Sequence, residues 1–437
     1  MNFEYLNSRN IFPVDISEYQ KDVFLLYSPL KKQCLFADKE TVRKMENQDC
    51  HYSEIIKRLT GHSNEIFSSF CNQTPDAVVR MSIIPTHRCN FKCSYCYAAK
   101  GRDNCTLSPK VMLAAINHFV NPARTARRDL YISIVGGGEP LMAWLEVTRD
   151  TIIELRKREK EHGFRIRIML TSNGSLITDE IAEFLKINNV NVSVSFDILP
   201  DIQESERGYA TDVEEGIRCL IRNDCKTSFR TTITPLNVNR QVEMVEYAHR
   251  FFPQIRKINF EYVISNELFA TVDSLSKFFK NFTSDFFHAR EVAKEYGISL
   301  ITPTLKNIES VSDRFCSGDF CLTPSGAITG CHRFSSPNEE HYTDCLYGHV
   351  CPDGTVRIDG QSFGKLMSHN VYSHDECRTC FAKWHCGGQC LGRLYSYNNE
   401  KRQAVCDFIR DFTLQTLLRK MPPPNKSIEV DAAQDKA

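Results

Sequence analysis

Cysteines at positions 89, 93 and 96 stand at spacing C-x3-C-x2-C in Thr86-His87-Arg88-Cys89-Asn90-Phe91-Lys92-Cys93-Ser94-Tyr95-Cys96-Tyr97, directly after an apolar run from Val78 to Pro85. Three thiolates on one short loop can hold three corners of an iron–sulfur cube and leave the fourth iron without a protein ligand. An open iron is a place where a small molecule can bind. The competing reading of the same loop is a zinc site.

The rest of the composition points the same way. The chain carries 19 cysteines in 437 residues, and Met1-Asn2-Phe3-Glu4-Tyr5 shows no basic segment followed by an apolar one. A cytoplasmic location is therefore expected, where thiols stay reduced and metal ligation explains them better than a disulfide scaffold. Nine of the 19 lie between Cys316 and Cys390, with one more at Cys406, so a second cysteine-rich module is expected to begin near residue 310. The 54 basic and 54 acidic residues cancel, which removes any electrostatic case for nucleic acid or an anionic membrane, and no apolar run reaches the length of a membrane span.

Gly136-Gly137-Gly138-Glu139-Pro140 follows the next strand-like stretch. Glycines let a backbone come close to a ligand, and a carboxylate can accept hydrogen bonds from an ammonium group. With this motif one strand after the cysteine loop, and Tyr95 just before the third cysteine, the chain resembles the radical S-adenosylmethionine (SAM) enzymes. The resemblance implies that a 4Fe-4S cluster on Cys89, Cys93 and Cys96 chelates the amino and carboxylate groups of SAM at its open iron. It also implies that Tyr95, Gly137, Gly138, Glu139, Asn173 and Ser195 belong to the cofactor site, Glu139 and its glycines at the methionine amino group and Ser195 near the ribose. Arg230 can hold the SAM carboxylate as a bidentate partner or form a strand-end salt bridge. On the same resemblance, the reduced cluster passes an electron into the sulfonium, and the resulting 5′-deoxyadenosyl radical abstracts hydrogen from an unactivated carbon.

In the second module, Cys316, Gly326 and Cys331 form C-x9-G-x4-C, and Cys377-x2-Cys380-x5-Cys386-x3-Cys390 is followed by Cys406. These seven cysteines resemble the SPASM domain of peptide- and protein-modifying radical SAM enzymes, which implies two auxiliary 4Fe-4S clusters, three clusters in all. Carried over by position, Cys377, Cys380, Cys386 and Cys406 hold one, and Cys316, Cys331 and Cys390 hold three corners of the other. Its fourth ligand stays open. The sulfatase-maturing relatives have a further cysteine where this chain has Ser310; Cys321 is a candidate substitute, the iron can stay open, and Cys345 and Cys351 are additional candidates. A zinc ribbon is the alternative for the Cys377 to Cys390 run. An unpaired buried thiol is the ordinary reading for Cys345 and Cys351, as for the remaining Cys34, Cys50, Cys71, Cys105, Cys219 and Cys225. The acidic residue that follows the Cys331 position in sulfatase-maturing enzymes is replaced by His332, a candidate base near neutral pH.

The elements that must position these residues follow from periodicity. Strand-like stretches at Val79 to Pro85, Leu130 to Val135, Ile166 to Leu170, Val190 to Phe196, Phe229 to Thr234 and Ile258 to Ile264 alternate with amphipathic stretches at Pro109 to Phe119, Thr151 to Glu161, Asp179 to Asn188, Val213 to Arg222 and Gln241 to Phe252. That alternation predicts a parallel α/β sheet with functional residues at the C-terminal strand ends. The resemblance makes it a partial (β/α)6, TIM-like radical SAM barrel. Residues 1–78 form a small α+β unit, either a winged-helix-like peptide clamp or a cap on the barrel. The barrel is expected over 79–305, the SPASM iron–sulfur domain over 306–412 and a disordered tail over 413–437.

Together these features predict a radical SAM/SPASM maturase. Its partners would be a ribosomally made precursor peptide, cross-linked through a carbon–carbon, ether or thioether bond, and an electron donor such as flavodoxin or ferredoxin. A sulfatase-maturing, formylglycine-generating enzyme and a non-catalytic iron–sulfur or zinc scaffold are the alternatives.

Overall fold

The computed structural model describes residues 2–62 and 74–421. Cys71 and residues 422–437 of the expected tail lie outside the described residues. At the N-terminus β1 (Phe12–Asp15), β2 (Val23–Ser28) and β3 (Gln33–Asp38) make an antiparallel sheet in that order. The helices Lys39–Glu46 and Ser53–Leu59 follow the sheet. Alternation along β2 decides what this unit packs against. Phe24 and Leu26 face its own small core with Leu6, Val42 and Leu59, while Leu25 and Tyr27 face Leu417 at the far end of the chain.

The six strands expected in the middle of the chain are β4 (Arg80–Ile83), β5 (Asp129–Ile134), β6 (Arg165–Ser172), β7 (Asn191–Ser195), β8 (Thr227–Ile233) and β9 (Lys257–Tyr262). A seventh, β10 (Ser299–Ile301), is too short to show a period in the sequence. All seven pair in chain order and in parallel. Leu130, Ile132 and Ile134 point from β5 into the helical layer and are buried, while Tyr131, between them, is exposed on the other face. Helix starts carry their signals: Pro109 opens Pro109–Phe119, and Thr271 and Ser274 cap the helix Val272–Glu295 reciprocally.

The cysteine-rich segment continues this sheet. Strand β11 (Phe320–Leu322) lies parallel to β4, and β12 (Ala327–Thr329), β13 (Leu346–Val350) and β14 (Val356–Ile358) follow antiparallel, completing eleven strands. Gly326, at φ +83°, makes the turn between β11 and β12. One hydrophobic cluster runs from Val78 through the barrel to Phe412. Its densest joint is a pair of long helices, where Phe279 stacks on Phe408 at 4.3 Å and Phe287 on Phe412 at 4.9 Å. The second of these helices is Asn399–Lys420, so residues 413–420 are ordered helix and not the start of the tail. The connector after residue 303 contains the short helix Pro303–Ile308.

The N-terminal unit is pinned to the cysteine-rich segment by a buried bond of 2.6 Å between the Tyr27 hydroxyl and Nε2 of His385. Nδ1 of His385 faces the carbonyl oxygens of Ser310 and Asn307, which can only accept, so Nδ1 carries the proton and Nε2 accepts from Tyr27. Tyr27→Phe leaves that nitrogen buried and unpaired, and should lower stability by about 1–3 kcal/mol in denaturant titration.

Candidate active site

The loop bearing the first three cysteines hangs from the C-terminal end of β4 and is held by its own return. The Thr86 hydroxyl and His87 N–H donate to the Cys105 carbonyl, each at 2.9 Å, and Leu107 N–H donates to the Pro85 carbonyl at 2.8 Å. Each sulfur faces an N–H donor. Phe91 N–H lies 3.5 Å from Cys89 Sγ, the Arg102 guanidinium 3.3 Å from Cys96 Sγ, and the Arg207 guanidinium 3.8 Å from Cys93 Sγ. Burial pushes the Cys93 thiol up to about 11, against the pull of Arg207, and raises the Cys89 thiol too. Half-buried thiols facing cations and an amide are suited to carry shared negative charge on a cluster. Among the described residues no three His, Cys, Asp or Glu side chains form a ready single-ion metal site.

The glycine motif packs directly on this loop. Gly137 has φ +89°, a conformation that favours glycine, and a Cβ on Gly138 would stand 2.1 Å from the Arg88 carbonyl oxygen. The next residue, Glu139, closes the contact by donating its N–H to that same carbonyl at 2.8 Å. Its carboxylate, 2% exposed, accepts from the Ser172 hydroxyl at 2.8 Å, Asn173 N–H at 2.7 Å and Leu141 N–H at 3.1 Å. Glu139 thereby ties the end of β6 to the cysteine loop. Asn173 joins the same web, its amide donating to Asn90 Oδ1 at 2.8 Å.

These residues line one cavity of about 230 Å³. Cys89, Cys93, Tyr95, Cys96, Gly137, Gly138, Glu139, Asn173, Ser195 and Arg230, all expected, border it together, and His332 reaches it from the segment after β12. Loops after β4 and β9, well apart in strand order, share it, as they must if the sheet curls. Arg230 is engaged by Glu261 at 2.6 Å, the salt-bridge alternative of its two readings. His332 differs from expectation. Burial, then Arg230, Arg333 and Arg80, push its pKa down to about 3, so it is neutral at physiological pH and a weak proton acceptor, contrary to its reading as a near-neutral base.

Two arginines were missed. Arg102 follows Cys96 by six residues, a proximity that could have flagged it. Arg207 has no local signal: it ends the helix Pro200–Glu206, and its Nε lies 3.1 Å from the fully buried Asp197 and 2.5 Å from the Tyr95 hydroxyl. Only the fold brings it to Cys93.

In the second module, electrostatic interactions link the thiols of Cys377, Cys380, Cys386 and Cys406, with Gln389 donating to Cys406 Sγ at 2.8 Å. Cys316, Cys331 and Cys390 likewise influence one another. Cys321 sits on β11 opposite Thr329, beside Asp319 and Cys345.

Residues 83–248 match the family model of the Radical SAM superfamily. They are a radical SAM domain. Such a domain works with SAM and a 4Fe-4S cluster, and the three-cysteine loop is where this one gathers its thiols. The chain is 24% identical over 388 residues to the radical SAM cyclopropyl synthase TigE of Paramaledivibacter caminithermalis, covering 82% of this chain and 76% of TigE. It is 22% identical over 266 residues to a cysteine-type anaerobic sulfatase-maturating enzyme of Clostridium novyi, covering 56% of this chain and 70% of that enzyme. Among solved structures, anSMEcpe with bound AdoMet and Kp18Cys peptide superposes with TM-score 0.62 at 17% identity, over 78% of this chain and 98% of that one. Streptococcus suis SuiB bound to S-adenosylmethionine gives 0.52 at 13% identity, over 90% and 97%. These likenesses show the fold, a radical SAM barrel with further modules.

Gly138→Ala forces the radical SAM loop and the glycine motif apart, and should cost about 1–3 kcal/mol together with iron retained at the loop after desalting. Glu206, whose backbone carbonyl accepts from Ser94 of the cysteine loop, titrates at about 7, raised by burial and then by Asp197. Its unfolded value is 4.5, so between those values the folded state holds a proton that the unfolded state has lost, and stability falls as pH rises through the window. Glu206→Gln should flatten that fall when denaturation midpoints are compared at about pH 5 and pH 8.

Proposed function

We propose that the protein is a peptide-modifying radical SAM enzyme that installs an intramolecular bond in a ribosomally made precursor peptide. The carrying observation is that a single cavity is bordered by the three loop thiols, by the glycine motif and by His332 and Arg333 of the cysteine-rich segment. A reactive centre walled by both parts of the chain suits a reaction that needs radical initiation and an outlet for an electron.

When bound, SAM and its cluster supply a 5′-deoxyadenosyl radical that takes hydrogen from an unactivated carbon. The chain's own residues do the rest. Cys89, Cys93 and Cys96 hold the cluster, Arg102 and Arg207 offset its charge, and Gly137 and Gly138 leave backbone room for the methionine moiety. Glu139 fixes the loop facing it, Ser195 on β7 offers a hydroxyl to the ribose, and Arg230, its partner in register on β8, borders the same cavity while held by Glu261. His332, neutral and weakly basic, serves as a wall of the pocket. Clusters on the C-terminal cysteines would accept the electron left by a net oxidation, and an acidic redox protein such as flavodoxin or ferredoxin would supply the initiating one.

Of the bond types, carbon–carbon is favoured, because TigE, whose alignment covers 82% of this chain, is named a cyclopropyl synthase. A peptide substrate is supported by the Kp18Cys peptide held by anSMEcpe, a neighbour in fold. The open edge of β3 offers a strand on which a leader could add. No helix among the described residues is long and apolar enough to cross a membrane.

Protein purified and reconstituted without air should convert SAM to 5′-deoxyadenosine and methionine once reduced, and Cys93→Ala should lower the yield to background. Co-expression with the precursor encoded by a neighbouring small reading frame should return, by mass spectrometry, a peptide lighter by two hydrogens per bond formed. An aldehyde from a single Ser or Cys would replace this reading with formylglycine generation. A loaded protein that leaves SAM intact would reduce it to a scaffold.

A further inference from the structure

The reading that the C-terminal module carries iron–sulfur clusters leaves one corner unassigned, the fourth ligand beside Cys316, Cys331 and Cys390. The position at which related enzymes have a cysteine is Ser310, and the structure gives that residue other work. Its carbonyl accepts the Nδ1 proton of His385 at 2.8 Å, and its hydroxyl turns outward to the Asn307 carbonyl at 3.4 Å. Cys321 is held on β11 with its thiol toward Thr329.

Four stretches of chain converge elsewhere. The β12–β13 ladder ends at the pair Thr329 and Leu346, and one step on, Gly330 N–H donates to the Cys345 carbonyl at 2.8 Å. Cys331 therefore leaves the ladder beside Cys345. Arg333, two residues later, passes Gly392: a Cβ built there would lie 2.9 Å from the Arg333 side chain and 3.6 Å from Cys390 Sγ. Tyr395, in the helix Leu391–Ser396 that Cys390 caps, stacks on His341 at 4.0 Å and feels Cys345, which brings the Cys390 helix over the turn Tyr342–Cys345. Finally, Phe315 N–H donates to the Gly387 carbonyl at 2.8 Å, which draws Cys316 against the strip leading to Cys390. Gly387 has no room for a side chain, since a Cβ would stand 2.3 Å from Phe315 N.

We propose that Cys345 is the fourth protein ligand of the cluster held by Cys316, Cys331 and Cys390. Cys331 senses Cys390, Cys316 and Cys345, and Cys345 senses Cys316 and Cys390, whereas the neighbours of Cys321 are Asp319, Thr329, Glu339 and Cys345. Cys345 is fully buried, and a thiolate there is costly unless a metal takes up its charge. Each thiol gives up its proton as its sulfur takes one iron of the assembled cube, a ligand exchange that leaves every oxidation state unchanged.

The test uses the full chain with the radical SAM loop silenced by Cys89→Ala, Cys93→Ala and Cys96→Ala, reconstituted anaerobically with iron and sulfide. This background should hold iron as 4Fe-4S clusters and, on mild oxidation, give no three-iron EPR signal, because every corner has a cysteine. Adding Cys345→Ser should remove about half of the iron or, where the cube survives, let it lose one iron and yield that signal. Adding Cys321→Ala should leave iron and spectrum as in the background. A background that itself gives the three-iron signal, a Cys345→Ser variant with unchanged iron and spectrum, or loss with Cys321→Ala alone would overturn the assignment of Cys345. A background that binds no iron would overturn the auxiliary-cluster reading itself and the assignment with it, a failure visible before Cys345 is touched.

Discussion

A thiol must lose its proton to bind iron, and this fold buries most of the thiols proposed to do so. Burial is the largest influence on Cys89, Cys93, Cys316, Cys331, Cys377, Cys386 and Cys406, and raises each of them. The chain offsets part of the cost with fixed cations. Arg102 and Arg207 face the loop sulfurs, and Arg393 and Arg410 lower Cys386 and Cys406. Two cations among three loop thiols do not cancel the penalty, and on the proposed reading iron would take up the remaining charge, coupling loading of these segments to their folding.

Position is governed by β4. It carries the cysteine loop at its C-terminal end, pairs with β5, which leads into the glycine motif, and pairs on its other side with β11, the first strand of the cysteine-rich segment. Ser82 on β4 donates to Asp319 at 2.7 Å, just ahead of β11, and both residues are buried. The two cysteine-rich parts are thus neighbours through one strand, which fixes how His332 and Arg333 enter the cavity. A linker between separate domains could not hold them there.

Much of this was legible because it is written in short range. The three-cysteine loop, the glycine motif and the strand ends carrying Asn173 and Ser195 could be placed by alternation alone, and the helix Pro109–Phe119 matches its periodic stretch residue for residue. What could not be read is contact across the sequence. Arg207 meets Cys93 over 114 residues, Tyr27 meets His385 over 358, and no local pattern encodes either. The phenylalanine stripe Phe278, Phe279, Phe282 and Phe286 is as regular as any helix face in the chain, but nothing in it names Phe408 and Phe412 as its partners. His332 borders the cavity, but its low basicity was not legible, because the arginines that depress it come from β4, β8 and its own neighbour.

The attachment of the N-terminal unit also bears on how substrate recognition and electron flow could be connected. Among the described residues that unit packs on the cysteine-rich segment and the last helix. Its β2 packs on Leu417 and Phe381, Asn10 accepts from the Trp384 indole at 3.0 Å, and Tyr27 reaches His385, the residue immediately before Cys386. Asn10, Tyr27 and their partners therefore converge on the turn Lys383–Cys386, whose last residue is a proposed cluster ligand. A peptide strand added at β3 would load a sheet whose buried face ends on that turn. If it shifted β2, the strain would pass through the Tyr27–His385 bond to the Cys386 backbone, because buried hydrogen-bonded groups cannot separate without a desolvation cost. A strand bound to a cap on the barrel helices would have no such route.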